Sequence, residues 1–228
     1  MPLSSLPIRN VLFDLDGTLT DPVVGITTCI GHALTSMGAA CPPLDTLARF
    51  VGPPLRPTFA HLLNIPEGHA GVEQAVAWYR ERFGAVGLYE NEIYPGVVTM
   101  LQDLRDADLR LFVATSKPHV FANRILAHFE LDGFFSGVHG SELDGRFDDK
   151  VELIAHLLET ERLDPAECLM VGDRSYDVIG GRRNGVRALG VTYGFGKEDE
   201  LRDAGADWVC ESPEAVNRLI RSIARGEG

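Results

Sequence analysis

The amino-acid sequence predicts an α/β fold, a doubly wound parallel sheet with a small all-helical domain inserted after the first strand. Short apolar runs alternate with stretches of helical periodicity, which is the pattern of a parallel sheet covered by helices. The segment from residue 21 to residue 92 interrupts this alternation and shows helical spacing alone. The length of 228 residues suits one large domain or a domain with a smaller insertion.

Six apolar runs are the candidate strands of the sheet. They are short and rich in residues that favour β-structure, and the candidate near residues 137–139 is among the shortest. In chain order they are residues 11–13, 109–114, 137–139, 168–171, 188–192 and 208–210. Helical stretches separate most of these runs, and one such stretch has Val97, Leu101 and Leu104 on a single apolar face.

The inserted segment is predicted to contain helices only. Apolar residues recur there at helical spacing, at Ile26, Ile30 and Leu34 and again at Val72 and Val76. The chain returns to the alternating pattern near residue 94. The expected domains are therefore residues 1–20 with residues 93–228, and residues 21–92.

The composition disfavours several classes of partner. A formal net charge of −12 is unfavourable for a nucleic-acid-binding or anionic-membrane-binding surface. The four cysteines form no Cys-x-x-Cys pair, so neither a zinc motif nor a redox motif is expected. The first residues do not have the pattern of a signal peptide, and no apolar run approaches the length of a membrane span. We therefore expect a cytoplasmic protein without a membrane or nucleic-acid partner.

Two carboxylates follow the first predicted strand. Asp14 lies at the carboxyl end of that strand, and Asp16 and Gly17 begin the next loop. Ligand sites of α/β sheets lie at the carboxyl ends of strands. One carboxylate there can bind a hard cation and attack an electrophile, while the other carries a proton. Taken alone, these residues also fit a turn or a helix cap.

A second polar cluster follows the predicted strand at residues 109–114. Thr115 and Ser116 provide hydroxyl groups near the start of a helix, where a phosphate oxygen can be held. Either hydroxyl could instead only cap that helix. Lys117 could add positive charge to the site or could be an ordinary solvated lysine.

Two further clusters carry charge. Lys150 begins an amphipathic helix, although a cation there is unfavourable for the helix dipole, and such a local misfit indicates function. Arg146 competes for the same role. Asp173 ends the strand at residues 168–171 and is expected to face the first carboxylates if the two strands are neighbours. Asp177 follows one helical turn later, where an acidic residue also favours the helix dipole.

These four clusters, in this order along the chain, resemble the motifs of the haloacid dehalogenase-like hydrolase superfamily. The first match is Asp-x-Asp-Gly-Thr at residues 14–18, and the resemblance spans nearly the whole chain. It implies that Asp14 is the nucleophile and that Asp16 is the general acid and base. It also implies that Thr115 and Lys150 bind the transferring phosphoryl group.

The resemblance further implies a Mg²⁺ cofactor. Its ligands would be the Asp14 carboxylate, the backbone carbonyl of Asp16 and Asp173, with Asp177 binding directly or through water. Acidic groups near one point repel one another unless a cation holds them, and Mg²⁺ prefers oxygen ligands.

The reaction implied by the resemblance is hydrolysis of a small phosphomonoester. Asp16 favours it, because a halide-displacing enzyme of the superfamily needs no acid at that position. Ser116, Lys117 and backbone N–H groups near Leu15 and Gly17 are candidate substrate contacts in the core, and Arg49 is a candidate in the insertion. The insertion resembles the helical cap that closes over the active site in one large subgroup.

The branch that the chain resembles contains 5′-nucleotidase-like and phosphoglycolate phosphatase-like enzymes. The expected partner is a small phosphorylated metabolite, and the sequence leaves open whether the protein is a monomer or a homodimer. Two alternatives on the same fold remain, a phosphosugar mutase and a non-catalytic regulator that binds a phosphorylated ligand.

Overall fold

The computed structural model describes residues 7–226 and contains an α/β core and a helical unit. The strands are β1 (Asn10–Phe13), β2 (Thr20–Asp21), β3 (Glu92–Ile93), β4 (Arg110–Pro118), β5 (Gly137–Ser141), β6 (Cys168–Gly172), β7 (Arg187–Val191) and β8 (Trp208–Cys210). The helices are α1 (Val23–Ser36), α2 (Leu44–Leu47), α3 (Leu55–Leu63), α4 (Ala70–Ala85), α5 (Val97–Asp106), α6 (His119–His128), α7 (Lys150–Glu161), α8 (Ser175–Arg183), α9 (Glu198–Asp203) and α10 (Pro213–Ala224).

Six strands form one parallel sheet in the order β5-β4-β1-β6-β7-β8. The chain adds β4 and β5 on one side of β1 and then continues on the other side with β6. The sheet is therefore doubly wound, as predicted, and its ligand crevice is expected at the strand ends beside this reversal. Phe13 lies opposite both Val113 of β4 and Val171 of β6, so the carboxyl ends of these three strands are adjacent.

Apolar side chains hold helix α7 on the sheet. Its residues Ile154 and Leu157 belong to one buried cluster with Leu12, Phe112 and Met170 of the three central strands. Complete burial of side chains of this size stabilises the fold by about 1.5–3 kcal/mol each. This packing fixes the first turn of α7 beside the ends of the central strands.

The six strands of the parallel sheet lie where the sequence predicts them, but some have different ends. The short strands β2 and β3, at the two ends of the segment expected to contain helices only, were not predicted. β4 continues to Pro118 instead of ending at residue 114, and β7 begins at Arg187 instead of residue 188. The extension of β4 is polar, and polar residues after an apolar run are typical of a loop. Pairing of β4 with β5 nevertheless continues through Thr115, and after a shift in register it places Pro118 opposite Ser141.

The helical unit spans Asp21–Glu92 and contains α1 to α4. Helix α4 packs on both α1 and α3. Tyr79 of α4 stacks on Phe83 with ring centroids 5.4 Å apart, and it meets Phe59 of α3 edge-on at 6.2 Å. The unit therefore has a hydrophobic core of its own.

Strands β2 and β3 form a separate two-stranded ribbon. They lie where the chain leaves the core after Thr20 and where it returns to the core at Ile93. Across residues 7–226, no helix combines the length and the apolar character that crossing a membrane requires.

Candidate active site

Asp14 directly follows β1 and is held through both its backbone and its side chain. Its N–H donates to the carbonyl oxygen of Val171 on β6 at 2.9 Å. Its Oδ1 accepts a hydrogen bond from Lys150 Nζ at 2.8 Å. The Asp14 carboxylate is therefore fixed at the edge of the sheet where ligands of α/β proteins bind.

Lys150 is the first residue of α7, and its side chain extends to the strand ends. Its Nζ lies 2.8 Å from Asp14 Oδ1, 2.7 Å from the carbonyl oxygen of Ala114 and 2.6 Å from Asp177 Oδ1. Burial alone lowers the pKa of Lys150, but the Asp14 and Asp177 carboxylates outweigh burial and raise that pKa above its ordinary value. These contacts of a buried cation explain why a lysine occupies an unfavourable position at a helix start.

Asp173 lies at the end of β6, and Asp177 lies in the first turn of α8. Asp173 Oδ2 accepts a hydrogen bond from the N–H of Phe195 at 2.8 Å. The buried Oδ1 of Asp173 has no hydrogen-bond partner in the part of the chain that the structure describes. Asp177 Oδ2 accepts from the N–H of Arg174 at 3.1 Å, while its Oδ1 contacts Lys150. Asp177 therefore fulfils both roles that its sequence context allows. It accepts a backbone N–H at the helix start, and it pairs with Lys150 in the site.

The three carboxylates Asp14, Asp173 and Asp177 fit a divalent cation. Each offers an oxygen within 4.8 Å of the other two, and all three are buried. Burial raises the pKa of Asp173 well above its ordinary value and the pKa of Asp177 to about 6. A cation would stabilise the ionised groups, and the unpartnered Oδ1 of Asp173 is a free ligand atom for it. Oxygen donors of this kind are those that Mg²⁺ prefers.

Asp16 and Lys117 form a second buried ion pair. Asp16 Oδ2 lies 2.8 Å from Lys117 Nζ, and the two side chains are 11% and 5% exposed. The alternative that Lys117 is an ordinary solvated lysine is therefore wrong. Burial raises the pKa of Asp16 above its ordinary value, and Lys117 only partly offsets this increase. A carboxyl group with a raised pKa is suited to general acid and base catalysis.

Thr115 and Ser116 lie on the polar extension of β4. Thr115 is buried, and its Oγ1 accepts a hydrogen bond from the N–H of Lys117 at 3.2 Å. Ser116 is half-buried, and its Oγ donates to the carbonyl oxygen of Asp148 at 3.4 Å. Helix α6 begins at His119 and has no side-chain hydrogen bond at its N-cap. The alternative that these hydroxyls only cap a helix is therefore wrong.

Glycines bring two loops against Asp173. Gly17 has a φ of +85°, and a Cβ at this position would overlap the Asp173 carboxylate. A Cβ at Gly194 would overlap the carbonyl oxygen of Gly17, and a Cβ at Gly196 would overlap that of Asp173. Phe195 lies between these glycines and donates to Asp173. Glycines that follow a strand end indicate a loop that could border the active site, and this loop does contact Asp173, but the sequence pattern gives Phe195 no individual role.

The predicted role of the Gly17 N–H is not supported. This N–H donates to the carbonyl oxygen of Thr20 at 2.8 Å, so it is already used within its own loop. Gly17 therefore shapes the site through its lack of a side chain and is not placed as a donor to substrate.

Two arginines complete the predicted candidates. Arg146 pairs with Asp144 at 3.2 Å, and both side chains are well exposed, so Lys150 is the cation of the cluster and Arg146 is not. Arg49 belongs to the helical unit and is exposed. Its guanidinium carbon lies 4.8 Å from the centre of the Phe50 ring.

Known proteins share this chain's pattern over most of its length. The family model described as haloacid dehalogenase-like hydrolase matches residues 11–191. A protein of Pseudomonas aeruginosa named 5′-nucleotidase is 46% identical over 219 residues, which cover 96% of this chain and 98% of that protein. The tyrosine-protein kinase PtkA of Mycobacterium tuberculosis is 40% identical over 213 residues, which cover 93% of this chain and 72% of that protein.

A solved structure gives the same result for the fold. The crystal structure of a predicted phosphatase from Clostridium acetobutylicum matches with a TM-score of 0.90 and 40% sequence identity. The match covers 94% of this chain and 99% of that chain. The similarity therefore includes residues of both the core and the helical unit.

Proposed function

Because the chain belongs to the haloacid dehalogenase-like hydrolase family, we propose that it is a Mg²⁺-dependent phosphatase of small phosphomonoesters. One observation carries the proposal: Asp14, Lys150, Asp173 and Asp177 meet in a buried cluster at the carboxyl ends of β1 and β6. The relative named 5′-nucleotidase supports hydrolysis of a phosphate ester.

In the first half of the proposed reaction, a carboxylate oxygen of Asp14 attacks phosphorus. The bond between phosphorus and the leaving-group oxygen breaks, and Asp16 gives that oxygen its proton. Thr115 and Lys150 bind the phosphoryl oxygens and hold the group in line with the attacking carboxylate. The product alcohol leaves, and an aspartyl-phosphate on Asp14 remains.

In the second half, water hydrolyses the aspartyl-phosphate. Asp16 now accepts a proton from the water as its oxygen attacks phosphorus, and the bond to Asp14 breaks. Inorganic phosphate is released, and Asp16 again carries the proton that it needs for the next cycle. The burial that raises the pKa of Asp16 favours the protonated form with which this cycle begins.

Asp14, Asp173 and the backbone carbonyl of Asp16 would hold the Mg²⁺ ion, with Asp177 binding it directly or through water. When bound, the ion supplies positive charge that offsets the charge of the phosphoryl oxygens. The cluster needs such charge, because three carboxylates face one ammonium group, that of Lys150, and two negative charges remain unbalanced. A divalent cation would balance both.

The substrate that we propose first is a nucleoside 5′-monophosphate, with 2-phosphoglycolate as the next candidate. The relative named 5′-nucleotidase supports this order. Ser116 remains a proposed substrate contact of the α/β core, and Arg49 remains a proposed substrate contact of the helical unit. We propose no nucleic-acid or membrane partner, because the net charge of −12 disfavours both.

Phosphate release from a panel of phosphomonoesters tests the proposal. The panel contains 5′-nucleotides, 2-phosphoglycolate and sugar phosphates, each with Mg²⁺ and with EDTA. We expect metal-dependent release that the Asp14→Asn variant abolishes. Asp108→Asn is a matched control, because Asp108 is exposed and asparagine tolerates its φ of +60°.

The same assay separates the competing activities. A phosphosugar mutase would require a bisphosphorylated sugar and would release no free phosphate. The resemblance to a protein named tyrosine-protein kinase adds a further arm, in which ATP and a tyrosine-containing peptide replace the ester. Phosphate release that does not depend on Asp14, or transfer without release, would contradict the proposal.

A further inference from the structure

The chain has three lysines, Lys117, Lys150 and Lys197, and two of them are buried in the candidate active site. Lys150 contacts Asp14, and Lys117 contacts Asp16, so each lysine holds one carboxylate of the loop that follows β1. The proposed reaction uses Lys150 to bind the phosphoryl group. It leaves Lys117 without a function, although a buried ion pair needs good geometry to repay its desolvation.

The pairing of β1 with β4 explains how Lys117 reaches Asp16. The two strands are parallel, with Phe13 opposite Val113, and both chains continue beyond this pair. Asp16 comes three residues after Phe13, and Lys117 comes four residues after Val113. The two side chains therefore lie beside each other only because β4 extends past the residues that sequence periodicity assigns to the strand.

The backbone around Lys117 is held from both sides. Its N–H donates to Thr115 Oγ1 at 3.2 Å, and the preceding carbonyl, that of Ser116, accepts from Ser141 Oγ at 2.8 Å. A Cβ at Gly140 would lie only 2.5 Å from the carbonyl oxygen of Lys117, so β5 packs directly against this segment. The ammonium group thus projects from a backbone that has little freedom to move.

The two carboxylate oxygens of Asp16 have different surroundings. Oδ2 is ion-paired with Lys117 at 2.8 Å. Oδ1 is buried and has no hydrogen-bond partner among residues 7–226. One oxygen is therefore held by the protein, and the other is left for a group that the protein does not supply.

We propose that Lys117 is a positioning residue, which holds Asp16 Oδ2 so that Oδ1 exchanges the proton with the leaving group and with water. The inference rests on the proposed function. In the first half-reaction, the Oδ1–H bond breaks and the proton passes to the ester oxygen as its bond to phosphorus breaks. In the second half, a proton of the attacking water passes to Oδ1. Lys117 contacts Asp16 throughout and does not bind the substrate.

Leaving-group dependence distinguishes this role from substrate binding. The leaving oxygen of an alkyl phosphomonoester must be protonated. The leaving group of p-nitrophenyl phosphate departs as a stable phenolate and needs little protonation. In Lys117→Met, we expect the single-turnover rate of the first half-reaction to fall for the alkyl ester about tenfold or more beyond its fall for the nitrophenyl ester. The ester concentration that gives half of the maximal single-turnover rate should change by less than about threefold for both esters. Asp16→Asn should show the same selectivity, and the double variant should be no worse than Asp16→Asn alone.

Other results would overturn the inference. Equal losses of the first-half rate on the two esters would show that Lys117 does not act through Asp16. A rise in the half-saturating concentration of both esters with unchanged first-half rates would show that Lys117 binds the phosphoryl group. Additive losses in the double variant would show that the two residues act independently.

Controls keep the test decisive. Lys197→Met removes the exposed lysine and should leave the rates of hydrolysis of both esters unchanged. If thermal unfolding shows that Lys117→Met does not fold, the same comparison is made with Lys117→Gln. We then expect a smaller selective loss of rate on the alkyl ester. Equal losses of rate on the two esters would overturn the inference. If the wild type hydrolyses neither ester, the proposed function itself fails. If the wild type is active and the lysine variants are unselective, only the inference about Lys117 fails.

Discussion

Asp177 shows how one side chain can meet two requirements. Its Oδ2 accepts the N–H of Arg174 at the start of α8, and its Oδ1 pairs with Lys150. Both contacts favour the ionised carboxylate, yet burial raises the pKa of Asp177 to about 6. Without a metal, the negative charge at this position therefore destabilises the folded protein at neutral pH.

Asp177→Asn is predicted to change the pH dependence of stability. The folded protein keeps the Asp177 proton up to a pKa of about 6, whereas the unfolded chain loses it near 3.8. The folded state binds more protons in this window, so the free energy of unfolding of the wild type falls as the pH rises through it. Between about pH 5 and about pH 7, the free energy of unfolding of the variant should rise by about 1 kcal/mol relative to that of the wild type. Urea unfolding in EDTA measures this.

The comparison with the wild type removes contributions that both proteins share. His139 is one of these, because burial lowers its pKa and its effect on stability has the opposite sign. Excess Mg²⁺ should reverse the trend in the wild type, since the ion binds the ionised carboxylates. Parallel pH curves for the two proteins in EDTA would refute the assignment to Asp177.

Two lysines show what can be predicted at the scale of the residue. Lys150 could be identified as a site residue, because its charge conflicts with the dipole of the helix that it begins. Lys117 could be named only as a candidate substrate contact and its ion pair could not be predicted, because a buried lysine and a solvated one look alike in a local pattern. Its partner Asp16 is far away in the sequence, and only the pairing of β1 with β4 brings them together.

At the scale of the element, the loop at residues 194–196 positions Asp173. Phe195 donates to Asp173 Oδ2 at 2.8 Å, which leaves Oδ1 as the free oxygen. The loop can approach this closely because Gly194 and Gly196 lack side chains that would overlap backbone oxygens of their neighbours.

Gly196→Ala is predicted to weaken Mg²⁺ binding. The added methyl group would meet the carbonyl group of Asp173, so the loop must move and Phe195 would lose its contact. Loss of a hydrogen bond that orients a metal ligand lowers metal affinity by about 10–100-fold. Calorimetric titration of the folded protein with Mg²⁺ measures this change.

Gly133→Ala is the matched control for that prediction. Gly133 is exposed, and an added Cβ would meet nothing within 4 Å, so its Mg²⁺ affinity should equal that of the wild type. A folded Gly196→Ala protein with unchanged Mg²⁺ affinity would show that the loop does not position Asp173.

Strand positions could be predicted from the sequence, but strand order could not. Apolar runs mark each strand of the six-stranded sheet locally, whereas the order depends on which side of β1 each helical crossover takes. The expected proximity of Asp173 and Asp14 required their strands to be neighbours. The pairing of Phe13 with Val171 satisfies this requirement. The sequence does not predict the extension of β4 to Pro118, because pairing with β5 continues that strand beyond the residues that favour it locally.

At the scale of the whole molecule, the chain contains two compact units, each with its own core. Asp14, Lys150, Asp173 and Asp177 all belong to the α/β unit. In the helical unit, Arg82 of α4 donates to the two carboxylate oxygens of Glu90 at 2.7 and 2.9 Å, and to Cys29 Sγ of α1 at 3.2 Å. A single guanidinium group thus connects three segments of that unit.

Arg82→Lys is predicted to destabilise the protein by about 1–2 kcal/mol, because an ammonium group cannot replace a bidentate, partly buried guanidinium. The hydrogen bond from Arg82 lowers the pKa of Glu90, which agrees with a stabilising contact. Arg202→Lys is the control, since the pair of Arg202 with Glu198 is mostly exposed and should contribute little. Chemical denaturation measures the free energy of unfolding of both variants. Equal losses of that free energy in the two variants would contradict the prediction.

The most direct measurement asks whether phosphate is transferred to Asp14. The protein is mixed with its best phosphomonoester and Mg²⁺, quenched within a turnover and reduced with borohydride, which converts an aspartyl-phosphate into homoserine. Peptide mass spectrometry then locates the modified residue. We expect homoserine at position 14 in the wild type, and none in the Asp14→Asn variant. Phosphate release without homoserine at position 14, or with homoserine at another aspartate, would contradict the account.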